Sequence, residues 1–112
     1  MDLADKKCLP CEGFTEPLKD NKILLYFKNI HSDWSLNDSR HLFRCFQFNN
    51  FNKAMAFAKK VAKISDNEGH HPKLIVEWGK CSVEIWTHKS SGLSENDFYL
   101  AAKVDKIPYD KI

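Results

Sequence analysis

The sequence predicts an α+β domain in which a four-stranded antiparallel sheet is covered by helices on one face. Apolar residues recur at helical spacing over residues 51–64, whereas alternating runs with short turns between them predict strands that pair as hairpins. Short hairpin connections favour antiparallel pairing, and helices on one face of such a sheet form an α+β sandwich. The predicted order is helix, strand, strand, helix, strand, strand, helix.

An irregular arm is predicted over residues 1–16, before a single domain over residues 17–112, because the arm is polar and interrupted by Pro and Gly. Cys8 and Cys11 form a Cys-x-x-Cys pair, which is half of a zinc site, but no second pair follows at a zinc-ribbon or zinc-finger spacing. A thioredoxin-like function would need a surrounding βαβ unit, and none is predicted. We therefore expect neither a metal site nor a disulfide.

The next three elements are a helix and two strands. Pro17 suits the first turn of a helix over residues 18–28. Residues 30–36 read as the first strand, and the turn cluster at residues 37–39 leads into a second strand over residues 41–48. Aromatic residues on both faces of this second strand predict that helices cover one face and a partner subunit the other.

The second half of the chain holds the clearest helix. It begins after a capping asparagine at position 49 or 50 and carries an apolar stripe over residues 51–64. Residues 74–78 and 81–87, separated by Gly-Lys, predict a β-hairpin. Ser94 and Asp97 have the spacing of a capping box, which predicts that the last helix begins there.

Two adjacent histidines, His70 and His71, lie where the long helix meets Pro72. Proline disfavours the helical conformation in the residue before it, so we expect His70 on the last helical turn and His71 at the boundary. Asp66 precedes His70 by four residues, which places both on one helix face, so the carboxylate could orient an imidazole. On these residues alone, an ordinary polar turn is the alternative to a site.

Composition and charge exclude several classes of function. The net charge of +2 comes from lysines and acids mixed along the chain, without the basic stripe that nucleic acid binding needs. No apolar run approaches the roughly 20 residues of a membrane span. The first seven residues do not resemble a secretory signal. We expect a cytoplasmic protein that binds neither nucleic acid nor membrane.

Taken together, several motifs resemble the pterin-4a-carbinolamine dehydratase family, bacterial type. They are His70-His71-Pro72, the aromatic Trp78, Thr87-His88, the segment 92–98 and the opening segment 6–13. The resemblance implies dehydration of 4a-hydroxytetrahydropterin to quinonoid dihydropterin, in tetrahydrobiopterin recycling for aromatic amino acid hydroxylases such as phenylalanine hydroxylase. It also implies that no metal or other cofactor is used, and that the chain forms a homodimer or homotetramer through the sheet.

The resemblance also assigns residues by position. It implies catalytic roles for His70, His71 and His88, and substrate-binding roles for Asp66, Pro72, Trp78 and Asp97. A flat pterin favours an aromatic or apolar wall, for which Trp86 is a second candidate beside Trp78. Sheet packing is the alternative for both indoles, and simple helix capping is the alternative for Asp97. The competing function is a non-catalytic dimerisation or coactivator-type binding module.

Overall fold

The computed structural model describes residues 2–8, 17–87 and 92–110. Within them, three α-helices and four strands follow in the order α1 (Asp20–Phe27), β1 (Ser35–Leu36), β2 (Leu42–Gln47), α2 (Phe51–Glu68), β3 (Lys73–Glu77), β4 (Lys80–Ile85) and α3 (Glu95–Asp105). The strands form one antiparallel sheet in the order β1-β2-β4-β3. The α+β fold class and the predicted order of elements are confirmed. No described helix is both long and apolar enough to cross a bilayer.

The sheet has a buried face and a more exposed face, because side chains alternate along each strand. The buried side chains of β2 and β4 are Leu42, Arg44, Phe46, Cys81, Val83 and Ile85. They share a hydrophobic core with the buried sides of α2 and α3. On the opposite face Phe43 is half-buried and Cys45 is exposed. That a partner subunit covers this outer face stays a prediction.

Helix α2 begins and ends at residues with capping roles. The Asn50 side chain accepts a hydrogen bond from the Lys53 backbone N–H at 2.8 Å, which satisfies one of the free donors of the first turn. The helix ends at Gly69, whose φ of 65° lies in the left-handed region that glycine adopts without steric cost. The helix therefore stops before His70, and the prediction that His70 lies on its last turn is wrong.

Two elements in the first half are shorter than predicted. Helix α1 begins at Asp20, so Pro17 precedes it. The predicted strand over residues 30–36 is reduced to Ser35–Leu36. The preceding segment is held instead by Asp105 of α3, which accepts hydrogen bonds from the Trp34 Nε1–H at 2.8 Å and the His31 backbone N–H at 2.9 Å. These side-chain bonds replace the ladder that a longer strand would need.

The described part of the N-terminal arm, residues 2–8, packs against the domain. Leu3–Asp5 form a 3₁₀ turn, and Leu3 is buried in the core beside α3. The Cys8 backbone N–H donates to Glu68 Oε1 at 2.9 Å. The arm is thus attached to the last residue of α2, close to the predicted histidines.

Candidate functional site

The end of α2, the end of β4 and the start of α3 meet around one buried histidine. The turn at Gly69 directs His70 into the protein, where its side chain is only 10% exposed. Its Nε2 atom lies 2.7 Å from Oδ1 of Asp97, which is fully buried in the first turn of α3. A short turn and a helix N-terminus therefore bring together two residues that are 27 positions apart in sequence.

Asp97 is held by two further hydrogen bonds. Its Oδ1 accepts from the Thr87 hydroxyl at 2.9 Å, and its Oδ2 accepts from the Ser94 backbone N–H at 2.8 Å. The second bond completes the predicted capping box of α3, which is confirmed. The Thr87 and Ser94 hydroxyls also lie 2.6 Å apart. Asp97 thus caps its helix, as the alternative to a site role predicted, and also binds His70, whereas its substrate-binding role stays a prediction.

The Asp97 contact defines which ring nitrogen of His70 is available. A carboxylate that only accepts hydrogen bonds places the imidazole proton on Nε2, as in other carboxylate–histidine pairs. No hydrogen-bond partner for Nδ1 is found among the described residues. Nδ1 is therefore the atom of His70 that can take or give a proton to a bound molecule.

The second histidine has a different environment. His71 Nε2 lies 2.9 Å from Asp66 Oδ1, and the two side chains are 63% and 77% exposed. Asp66 was expected to orient His70, and that pairing is wrong. The i, i+4 spacing applies only within a helix, and Gly69 ends the helix between the two residues. Since exposed ion pairs contribute about 0–1 kcal/mol, this contact holds His71 only loosely.

The third predicted histidine, His88, lies outside the described residues. Thr87, the residue before it, is buried on the inner side of the sheet and bound to Asp97. Sequence reasoning used Thr87 only as part of the Thr87-His88 motif and predicted no role for it. Period-two alternation along β4 places it on the same face as Val83 and Ile85, which is the signal that could have found it.

The two candidate indoles lie at different places on the sheet. Trp78 lies in the β3–β4 turn, 71% exposed, and roughly 20 Å along the strand from Pro72 at about 3.3 Å per residue. Trp86 points to the outer face, where it stacks on His41 with ring centroids 4.2 Å apart and planes 7° apart. Pro72 is half-buried and leads from His71 into β3. A substrate-binding role for Trp78 would require a second subunit.

The cysteines show no metal-binding arrangement in the described part of the chain, where no group of three or more His, Cys, Asp or Glu residues is placed to hold an ion. Burial raises the pKa of the Cys8 thiol to about 12, with a further contribution from Glu68, and burial raises the pKa of Cys81 to about 11. Cys45 is exposed. Cys11 lies outside the described residues, so the predicted absence of a zinc site in the arm stays a prediction.

A family profile and two curated relatives match this chain under the name of one enzyme. The family profile described as "Pterin 4 alpha carbinolamine dehydratase" matches residues 16–107. A Rickettsia canadensis protein is 48% identical, over 92% of this chain and 94% of its own, and one from Alkaliphilus metalliredigens is 43% identical, over 94% and 95%. Both are named "Putative pterin-4-alpha-carbinolamine dehydratase".

A solved structure shares the fold. The crystal structure of a "transcriptional coactivator/pterin dehydratase" from Brucella melitensis superposes with a TM-score of 0.72 and 25% identity. The match covers 79% of this chain and 94% of that one. The profile match and the curated relatives each extend over most of the chain, and the fold agrees with both. The chain belongs to the pterin-4a-carbinolamine dehydratase family.

Proposed function

We propose that this chain is a hydro-lyase that converts 4a-hydroxytetrahydropterin to quinonoid dihydropterin and water, in the recycling of tetrahydropterin for aromatic amino acid hydroxylases. Membership of the family supports the class of substrate. The observation that carries the proposal is the buried His70–Asp97 pair, with Nε2 and Oδ1 2.7 Å apart. A buried imidazole with a fixed proton position is suited to proton transfer.

The reaction requires two proton transfers. Loss of water from C4a needs a proton on the departing hydroxyl and removal of a proton from the ring nitrogen side. Imidazole can do either near neutral pH, because its ordinary pKa is about 6.5. In this proposal His70 performs one transfer through Nδ1 and His88 the other.

His71 has a binding role in the same proposal. Its exposed side chain and weak contact with Asp66 leave the imidazole able to reorient toward a ligand. The pterin ring is flat and rich in hydrogen-bond donors and acceptors, so it needs a few polar groups that fix its orientation. We expect His71→Ala to raise KM, whereas His70→Ala should mainly lower kcat.

A non-catalytic binding module is the second candidate function. It is favoured by the name of the Brucella melitensis relative, which joins a transcriptional coactivator to a pterin dehydratase. A protein without catalysis has no physical need for a buried histidine whose ring is fixed by Asp97, a carboxylate that Thr87 holds in turn. The two functions are compatible, and a direct assay separates them.

The test follows dehydration of freshly generated 4a-carbinolamine, with the slow uncatalysed rate subtracted. The wild-type chain should accelerate the reaction with saturation kinetics. A His70→Ala, His88→Ala double variant should lose at least about 10²-fold in kcat, the lower end of what one general acid or base contributes. Near-full activity in a folded double variant would rule out the histidine mechanism and favour the binding module.

A further inference from the structure

Glu68 connects the N-terminal arm to the end of α2. Its Oε1 accepts a hydrogen bond from the Cys8 backbone N–H at 2.9 Å and lies 4.0 Å from Lys103 Nζ in α3. The Glu68 side chain is 13% exposed and that of Lys103 is 18% exposed, so solvent screens these contacts less than it would at the surface. Glu68 is the last residue of α2 and stands two positions before His70.

The arm contacts α3 at both ends of the helix. The Cys8 thiol lies 3.6 Å from the backbone carbonyl of Asn96, the residue before Asp97. At the other end Lys103 Nζ donates to the Ala4 carbonyl at 2.6 Å, and Leu3 is 1% exposed in the core. Residues 2–8 therefore cross α3 and end between its first turn and the last residue of α2.

These contacts link residues that lie close to His70 and Asp97 in the sequence. Glu68 precedes the Gly69 turn that carries His70, and Asn96 precedes Asp97. The Gly69 N–H donates to the Asp66 carbonyl at 3.3 Å and the His70 N–H to the Ser65 carbonyl at 3.2 Å, so the turn is tied to the end of α2 and moves with it. The 2.7 Å contact between His70 and Asp97 then depends on the distance that the arm sets between α2 and α3.

The Cys8 thiol acts as a packing group in this arrangement. It is 6% exposed, and its pKa of about 12 keeps it protonated at neutral pH. Thiolates, not thiols, bind metals and attack disulfides. The predicted function does not use the Cys-x-x-Cys motif. A structural role accounts for one of its two cysteines, Cys8.

We infer that Glu68 is a positioning residue for the His70–Asp97 pair, acting by fixing the N-terminal arm across the ends of α2 and α3. The inference rests on the proposed function for its kinetic consequence. Its structural consequence, the geometry of the histidine–carboxylate hydrogen bond, does not depend on any activity. Glu68 itself makes no contact with His70 or Asp97 among the hydrogen bonds of the described residues, so its effect is transmitted through the backbone.

Three substitutions of Glu68 and one control test the inference. Glu68→Gln keeps an oxygen that can accept from Cys8, Glu68→Ala removes it, and Glu68→Asp keeps the charge but shortens the side chain by one methylene. Asn50→Ala is the control, since it removes a capping bond at the opposite end of the same helix. It lowers the stability of the same helix without touching the arm.

The kinetic measurements distinguish a positioning role of Glu68 from a general loss of protein stability. We expect Glu68→Ala and Glu68→Asp to lower kcat by about tenfold with little change in KM, which is less than the about 10²- to 10⁴-fold of a general acid or base. Glu68→Gln should recover most of kcat, and Asn50→Ala should keep wild-type kcat. Loss of kcat in Asn50→Ala equal to that in Glu68→Ala would show an effect of stability alone and overturn the inference.

The spectroscopic result is independent of the reaction. In the wild type, the proton between His70 Nε2 and Asp97 should give a slowly exchanging, downfield NMR signal. Glu68→Ala and Glu68→Asp should broaden or shift it, whereas Glu68→Gln and Asn50→Ala should not. An unchanged signal in Glu68→Asp would overturn the inference even if Glu68→Ala fails to fold. If the wild type has no dehydratase activity but the Glu68 variants change the NMR signal as expected, the proposed dehydratase function is wrong and the positioning role of Glu68 still holds.

Discussion

At the scale of single residues, the two adjacent histidines differ in burial and in partner. The sequence and its family resemblance identified His70, His71, Asp66 and Asp97 as candidate site residues, but not how they pair. The pairing depends on the turn at Gly69, whose left-handed backbone cannot be read from side-chain spacing. It also depends on the packing of α3 against α2, which brings together residues far apart in the chain.

Glu84 is predicted to make stability depend on pH. Its carboxylate lies 2.6 Å from His41 Nδ1 on the outer face of the sheet. Hydrogen bonds from His41 and Asn37, with the charges of His41 and Lys73, hold the pKa of Glu84 below its usual value of 4.5 although burial opposes this. A depressed folded-state pKa contributes stability that is present above pH 4.5 and lost as pH falls through the folded value.

The measurement compares urea unfolding of the wild type and Glu84→Gln from pH 7 to pH 3. The wild type should be the more stable at pH 7, and the difference should shrink below pH 4.5. His41→Gln should remove much of the same pH dependence, because it removes the first cause of the shift. A difference between wild type and Glu84→Gln that grows as the pH falls would contradict this account.

The cysteines are predicted to differ in reactivity. Cys8 and Cys81 are buried and have pKa values of about 12 and about 11, whereas Cys45 is exposed. Since the thiolate is the reactive form, iodoacetamide at pH 8 should modify Cys45 before Cys8 or Cys81. Mass spectrometry of digested protein after brief labelling measures the extent of modification at each cysteine. Modification of Cys8 as fast as that of Cys45 in folded protein would show that the arm is not docked.

At the scale of elements, the long helix and the hairpin were predicted well because each has a strong repeating pattern. The first strand was overpredicted, since β-forming residues in the segment before Ser35 are held by Asp105 rather than by a neighbouring strand. Sequence alternation reports side-chain character, whereas strand formation needs a partner backbone. The end of α2 was misplaced by two residues because Pro72, rather than Gly69, was taken as the stop.

Gly69 is predicted to be required for stability at the end of α2. Its φ is 65°, and an added Cβ would meet no atom within 4 Å. The cost of Gly69→Ala is therefore backbone strain alone, about 1 kcal/mol in the free energy of unfolding. Gly69→Asn should cost less, because asparagine tolerates the left-handed region. Denaturant titration gives both values, and an alanine variant as stable as the wild type would contradict the prediction.

At the scale of the whole molecule, assembly is predicted from exposed apolar side chains. Trp78, at 71%, and Ile75, at 42%, lie exposed at the end and on the outer face of β3, which is an edge strand. Exposed edge strands and apolar patches commonly mark interfaces. We expect a symmetric oligomer, most simply a tetramer built from dimers. Analytical ultracentrifugation at micromolar concentration checks this, and a single 13.0 kDa species would contradict it.

The central claim is that the buried His70–Asp97 pair, not the exposed His71–Asp66 pair, carries proton transfer in pterin dehydration. The most direct test is kcat for freshly generated 4a-carbinolamine in Asp97→Asn and Asp66→Asn, the same substitution at each pair. With folding verified by circular dichroism, Asp97→Asn should lose about 10²-fold or more, and Asp66→Asn should stay within about threefold of wild type. Equal losses, or a larger loss in Asp66→Asn, would contradict the assignment.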